Sequence, residues 1–159
     1  MKKALCMLAV AACLMGLTGQ AWTALSDPIT VTVSLGVIVS VDVDTNTWDI
    51  GAITLGGAPA TSVTFLATND GNVTENFAIK GSDGAGGWLL GNLVGTDTFK
   101  VTETMNTIVL TTGAQPLATN VPRDGNVQFQ LQYDPPTGDT QGGGVNHDFT
   151  VTITASQTP

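Results

Sequence analysis

The acidic residues Asp42 and Asp44, followed by Asn46, have the alternate spacing with which an EF-hand calcium loop begins. Calcium takes about six to eight oxygen ligands, and an EF-hand loop also needs glycine at its sixth position and glutamate at its twelfth. Thr47 and Ile53 occupy those positions, so the EF-hand interpretation fails. A strand with both carboxylates on its solvent face explains the pattern, and we predict no cofactor. Ca²⁺ held by loop acids stays open as an alternative, through Asp70, Asp83 or Asp124.

The residues that could support catalysis are few. His147 is the only histidine, whereas a zinc site needs several histidine or cysteine ligands. No Gly-x-Ser-x-Gly motif supplies a nucleophile for it, and the adjacent Asp148 would point to the opposite face of a strand. Glu75 and Glu103 are the only glutamates, which makes paired-carboxylate glycoside hydrolysis a poor fit. We therefore predict a protein that is not an enzyme.

Two tryptophans of the chain could stack on a sugar ring. Trp48 alternates with Ile50 on one face of a predicted strand, which favours a position in the core. Trp88 stands in a short apolar segment with no such pattern, and its environment is left open. A carbohydrate-binding surface at Trp88 is accordingly the alternative to a purely structural role.

The elements that would position these residues begin with an unusually long alternating run. From residue 29 to residue 43 every odd position is apolar, and most even positions are small or polar. This alternation predicts a strand with all odd side chains on one face. Fifteen residues would extend roughly 50 Å, well beyond the usual strand of about 5–6 residues. The candidate interface residues are Ile29, Val31, Val33, Leu35, Gly36, Val37, Val39 and Val41.

Two interpretations of this run stay open. In the first, the strand bends at Gly36 and passes from one sheet of its own domain to the other. In the second, the run leaves its domain and pairs with the sheet edge of a neighbouring molecule, where its alternate side chains fill pockets.

The N-terminus has the pattern of a bacterial export signal. Lys2 and Lys3 precede an apolar segment from Ala4 to Leu17, and small residues flank a cleavage site after Ala21. A lipoprotein modified at Cys13 is the alternative. The apolar run from Ala4 to Leu17 is shorter than the roughly 20 residues that a helix needs to span a bilayer. We predict a signal peptide over 1–21 and a mature domain over 22–159, exported to the cell surface or the medium.

The mature chain is acidic and free of cysteine. Both cysteines, Cys6 and Cys13, lie in the predicted signal peptide, so no disulfide can form in the mature protein. Beyond Ala21 only three basic residues oppose 13 acidic ones, a net charge of −10. This charge excludes binding of nucleic acid through its phosphates, and anionic membranes would repel the chain.

Short alternating or apolar segments recur along the mature chain, and no stretch has a helical period. The pattern predicts a single-domain, all-β antiparallel sandwich of about 8–9 strands. Asp70-Gly71 and Asp124-Gly125 are predicted to form tight hairpin turns. Besides the first run, the predicted strands are 47–53, 61–68, 73–80, 88–90, 99–102, 107–112, 127–133 and 149–155.

Three short motifs resemble those of secreted bacterial immunoglobulin-like surface domains: WDIG at 48–51, TNDGNV at 68–73 and YDPPT at 133–137. The long N-terminal run before a sandwich is similar to that of fimbrial and filament subunits. In those families an N-terminal extension, often with a midway glycine, fills a groove in the next subunit. The resemblance implies an immunoglobulin-like fold, a filament or matrix subunit, and copies of the same chain as partners. A secreted carbohydrate-binding module stays the alternative.

Overall fold

The computed structural model describes residues 30–142 and 146–159. The predicted signal peptide, Cys13 and Ile29 lie outside these ranges. Leu35–Pro159 forms one compact unit, and the described residues before it, 30–34, belong to another. Within the described ranges the only helical element is a 3₁₀ turn, Ala85–Gly87, and all other regular structure is strand.

The described residues of this unit form nine strands. In chain order they are β1 (Val41–Val43), β2 (Ala60–Asn69), β3 (Glu75–Gly81), β4 (Leu89–Leu90), β5 (Thr98–Glu103), β6 (Ile108–Val109), β7 (Gln115–Val121), β8 (Asn126–Asp134) and β9 (Val151–Gln157). One sheet has the order β1-β2-β8-β5-β4, with β6 also paired to β5. The second sheet has the order β7-β3-β9. All pairs are antiparallel except the two-residue pair of β4 with β5. The predicted all-β sandwich is confirmed.

Alternating side chains of the two sheets fill the core between them. On β3, Phe77 and Ile79 are buried, and on β8 the buried side chains are Phe129, Leu131 and Tyr133, as their period of two predicts. Aromatic rings contact each other across the core, with Phe65 and Phe129 stacked at 5.2 Å between centroids. Packing of these side chains and the hydrogen bonds of the two sheets hold the described residues together.

Two predicted strands are largely absent from the structure, and one observed strand was not predicted. Residues 47–53 form no strand, although Trp48 and Ile50 do pack half-buried against the core. Within the described part of the predicted run 29–43, only the three residues of β1 form a strand. Conversely, β7 was not predicted, because Pro116 and Asn120 interrupt its alternation and only Leu117 and Val121 are buried on it.

The two Asp-Gly segments are not hairpin turns. β2 and β8 lie in the first sheet, whereas β3 and β7 lie in the second. Each segment therefore carries the chain from one sheet to the other, and we call residues 70–74 the first arch and residues 122–125 the second arch. The prediction of hairpins is wrong because an Asp-Gly pair specifies a local reversal of the chain, and does not specify which strands pair beyond it.

Asn69, at the end of β2, joins the two arches. It is fully buried, and its side-chain amide donates to the carbonyls of Val73 (2.8 Å) and Val121 (3.0 Å) while its oxygen accepts from Gly71 N–H (3.0 Å). Its backbone N–H donates to Gly125, and its carbonyl accepts from Asp124, both at 2.9 Å. Because both N–H groups and the oxygen of the side-chain amide are engaged, the side chain satisfies backbone groups that the crossing leaves unpaired.

Replacement of Asn69 by alanine tests this role. We expect Asn69→Ala to lower the free energy of unfolding by about 2–4 kcal/mol, because each buried polar group left unpaired costs about 1–3 kcal/mol. Urea unfolding measures the loss. Asn92→Ala, at an exposed position between β4 and β5, is the control and should change stability by less than about 0.5 kcal/mol. Equal losses in both variants would contradict the role of Asn69.

Tyr133 gives the fold an alkaline pH dependence. Burial raises the pKa of its hydroxyl to about 12, from an ordinary value of 10.0. The folded state therefore binds this proton more tightly, so the stabilisation is present below pH 10 and is lost as pH rises towards about 12. We expect the free energy of unfolding to fall across this window, and to fall less in Tyr133→Phe. Since Tyr133 is the only tyrosine, tyrosinate absorbance reports its titration directly. Identical pH profiles of the two proteins would contradict this assignment.

Candidate assembly site

The residues before β1 expose most of the apolar surface that was predicted to form a strand. Residues 30–40 belong to no strand. The side chains of Val33 and Leu35 are each 85% exposed, and exposure falls to 40% at Val39. Six of the thirteen large exposed hydrophobic residues in the described ranges lie between positions 31 and 39. We call residues 31–39 the apolar segment; its exposed members are Val31, Val33, Leu35, Val37, Ile38 and Val39.

The first arch holds the C-terminal part of this segment. The Asn72 side chain donates to the carbonyl of Gly36 (2.7 Å) and accepts from Ile38 N–H (2.8 Å). The backbone N–H of Asn72 donates to the carbonyl of Ile38 at 3.0 Å. Three hydrogen bonds from one residue thus replace part of the ladder that a neighbouring strand would supply.

A buried carboxylate adds a fourth attachment. Glu75 is fully buried at the start of β3, and its Oε1 accepts from Ser40 N–H at 3.0 Å. A Cβ on Gly71 would collide with this Oε1 and with the carbonyl of Ile38, so only glycine fits where the arch passes the segment. Residues 36–40 are consequently fixed beside the first arch before the chain enters β1.

Gly36 does not make the predicted bend into the second sheet. A Cβ built on it would meet nothing within 4 Å, and no described residue from 30 to 40 joins either sheet. The first of the two interpretations of the run is thus limited to the three residues Val41–Val43, which pair with β2. The remaining apolar side chains have no strand partner among the described residues.

Trp88 lies in an environment that does not fit a sugar-stacking platform. Its side chain is only 6% exposed, and the His147 ring stacks on it at 3.9 Å between centroids and 6° between planes. The indole N–H donates to Asp139 Oδ1 (3.2 Å), and His147 Nδ1–H donates to the carbonyl of Ala85 (2.8 Å). A sugar needs an open ring face, and here His147 occupies it.

The loop beside Trp88 is organised by Asp97. Its Oδ1 accepts from Thr140 N–H at 2.7 Å, and its Oδ2 accepts from the Thr140 hydroxyl. The hydroxyl and then the backbone N–H of Thr140 lower the pKa of Asp97 below its ordinary value. Its hydrogen bonds therefore position residues 139–141 next to the indole, a structural use of this carboxylate.

The other residues considered for chemistry also serve the fold. The Asp44 carboxylate accepts from Leu66 N–H at 3.0 Å, and the Asp44 N–H donates to the Leu66 carbonyl at 3.1 Å. These bonds continue the pairing of β1 with β2 by one residue. Glu103 is buried and accepts from the N–H groups of Met105 and Asn106, at 2.9 and 2.8 Å. In residues 30–142 and 146–159, no three histidine, cysteine, aspartate or glutamate side chains come together in a way that could hold a metal ion.

Comparison of the chain with protein-family models, with curated proteins and with solved structures finds no match. Among the described residues there is also no helix with the length and apolar character to cross a membrane. The candidate site therefore rests on its own geometry.

Removal of the Asn72 side chain should free the apolar segment without unfolding the sandwich. In Asn72→Ala we expect the Ile38 amide to lose its protection from hydrogen exchange, because its hydrogen-bond acceptor is gone. The matched control is Asn126→Ala, which alters the equivalent residue of the repeated Asp-Gly-Asn-Val motif at an exposed position. Exchange at Ile38 that is the same in both variants would show that Asn72 does not hold the segment.

Proposed function

We propose that this protein is a non-enzymatic structural subunit of an extracellular or cell-surface filament or matrix, assembled from copies of the chain by β-strand complementation. One observation carries the proposal: an uncharged, alternating apolar segment stands exposed and outside both sheets. Contiguous exposed apolar surface of this kind marks an interaction site. The apolar segment is the strand that each copy donates.

The alternation explains why another sheet is a suitable partner. A strand added to a sheet edge satisfies its backbone through the ladder and buries the side chains of one face. Full burial of five odd-position side chains would contribute roughly 8–15 kcal/mol at about 1.5–3 kcal/mol each. Association itself costs an estimated 4–15 kcal/mol, and the ladder hydrogen bonds add to the favourable side. Because the first arch already fixes residues 36–40, less conformational entropy is lost when the donated strand becomes ordered in the contact.

The charge distribution is compatible with contact between copies. The whole chain has a formal net charge of −8, yet no charged residue occurs between positions 30 and 41. Copies repel each other at a distance, but the proposed contact brings no charge into an apolar interface. Salt screens the long-range repulsion, so assembly should be favoured at higher ionic strength. The predicted export signal supports an extracellular location.

Paired substitutions in the segment test the proposal. The chain from Trp22 onward is examined by light scattering after size exclusion and by negative-stain microscopy. We expect the wild type to form oligomers or filaments, and Val33→Asp combined with Leu35→Asp to be monomeric, because two carboxylates would enter the buried face.

The control places the same charges on the other face. Thr32→Asp combined with Ser34→Asp changes net charge equally, and these side chains alternate with the apolar ones. This control should assemble at least tenfold better than the variant with both Val33→Asp and Leu35→Asp, which we call the odd-position variant. A wild type that is monomeric at both low and high salt, or equal assembly of the two variants, would refute the proposal.

A further inference from the structure

The second sheet leaves two edges unpaired among the described residues, β7 and β9. It contains three strands, whereas the first sheet contains six. Unpaired N–H and C=O groups along a sheet edge form a template for another strand, unless the edge is irregular or charged. The two edges differ in this respect.

β7 is an irregular edge. Pro116 lacks a backbone N–H, and the register between β3 and β7 shifts twice, on either side of Phe77. Asn120 has a φ of 56°, in the left-handed region, which also departs from strand geometry. Such an edge disfavours addition of a strand.

β9 is a regular edge. All seven of its residues pair with β3 without a register shift, from Gln157 with Glu75 to Val151 with Gly81. It contains no proline and no charged residue, and β-branched residues fill its first four positions. Its sequence and its regular pairing with β3 are those of an edge that can accept a further strand.

The core is also incompletely covered beside β9. Val151, Ile153 and Ala155 pack against the core but are only half-buried, whereas their partners Ile79 and Phe77 on β3 are fully buried. Apolar side chains directly opposite each other on adjacent strands stabilise a sheet. A strand beside β9 would cover these three side chains with its own alternating apolar ones.

Among the described residues, the chain's own apolar segment does not pair with β9. Residues 36–40 are fixed at the first arch, at the same end of the sandwich as the C-terminal end of β9, where Thr158 N–H donates to Thr74. From there the chain continues directly into β1, which pairs with β2. Pairing with β9 of the same molecule would require a reversal within the very residues that Asn72 and Glu75 hold.

From these observations we infer that β9 is the acceptor edge, and that the apolar segment of a second copy adds beside it as the fourth strand of the second sheet. The inference rests on the proposed function and specifies the surface through which it acts. The contact joins two uncharged stretches of a chain with a formal net charge of −8.

Matched substitutions on the two edges test this assignment. Ala155 on β9 and Ala118 on β7 are both half-buried against the core, so the same replacement can be made at either edge. We expect Ala155→Asp to reduce assembly at least tenfold by light scattering, and Ala118→Asp to assemble like the wild type. Normal assembly of Ala155→Asp would overturn the assignment of β9 as the acceptor edge. The proposed function would still stand if the wild type assembles and the variant with both Val33→Asp and Leu35→Asp does not.

A mixing experiment separates donor from acceptor. The odd-position variant keeps an intact β9, and Ala155→Asp keeps an intact apolar segment. The mixture should give heterodimers and no longer species, although neither variant assembles alone. Absence of heterodimers would count against the inference.

Hydrogen exchange on the wild type gives a readout that does not depend on variants being folded. Alternate amides of β9 that are not bonded to β3 should gain protection on assembly, and those of β7 should not. Protection gained on β7 alone would overturn the assignment. A wild type that does not assemble under any salt condition would instead refute the proposed function itself.

Discussion

The buried amide of Asn69 is the interaction on which this sandwich depends. Two arches carry the chain between the sheets side by side, and a crossing of this kind leaves backbone groups without ladder partners. One side chain satisfies three of them and links the end of β2 to the first arch and to the end of β7. These hydrogen bonds lie where the chain passes between the sheet that contains β2 and β8 and the sheet that contains β3 and β7.

The same corner of the molecule also determines where the apolar segment departs. Asn72 and Glu75 flank the first arch and bind residues 36–40, and Gly71 leaves room for the chain to pass. The hydrogen bonds that stabilise the fold and those that hold the apolar segment therefore lie next to each other. A change in the arch would alter both stability and presentation, so effects of substitutions there on assembly must be compared with their effects on folding.

Sequence periodicity was informative where a strand has one buried face. Apolar side chains recur at alternate positions of β3 and β8, and both strands were predicted within two residues of their observed bounds. β7 was missed because Pro116 and Asn120 break its pattern, and the arches were taken for hairpins because turn residues report local geometry alone. The cover of Trp88 by His147 depends on residues far apart in the chain, and no local signal indicates it. The apolar segment itself was recognisable, whereas the regular edge of β9 emerged only from the pairing of β3 with both its neighbours.

The separation between the apolar segment and β9 has a consequence for symmetry. A contact between two different surfaces of identical subunits is head-to-tail, and it repeats without closing unless the rotation forms a ring. In the proposed assembly, if it is open, one terminus would present an uncovered donor and the other an uncovered acceptor, so the fibre would be polar. Growth, anchoring to a cell and termination would then take place at two chemically different ends and would require different partners.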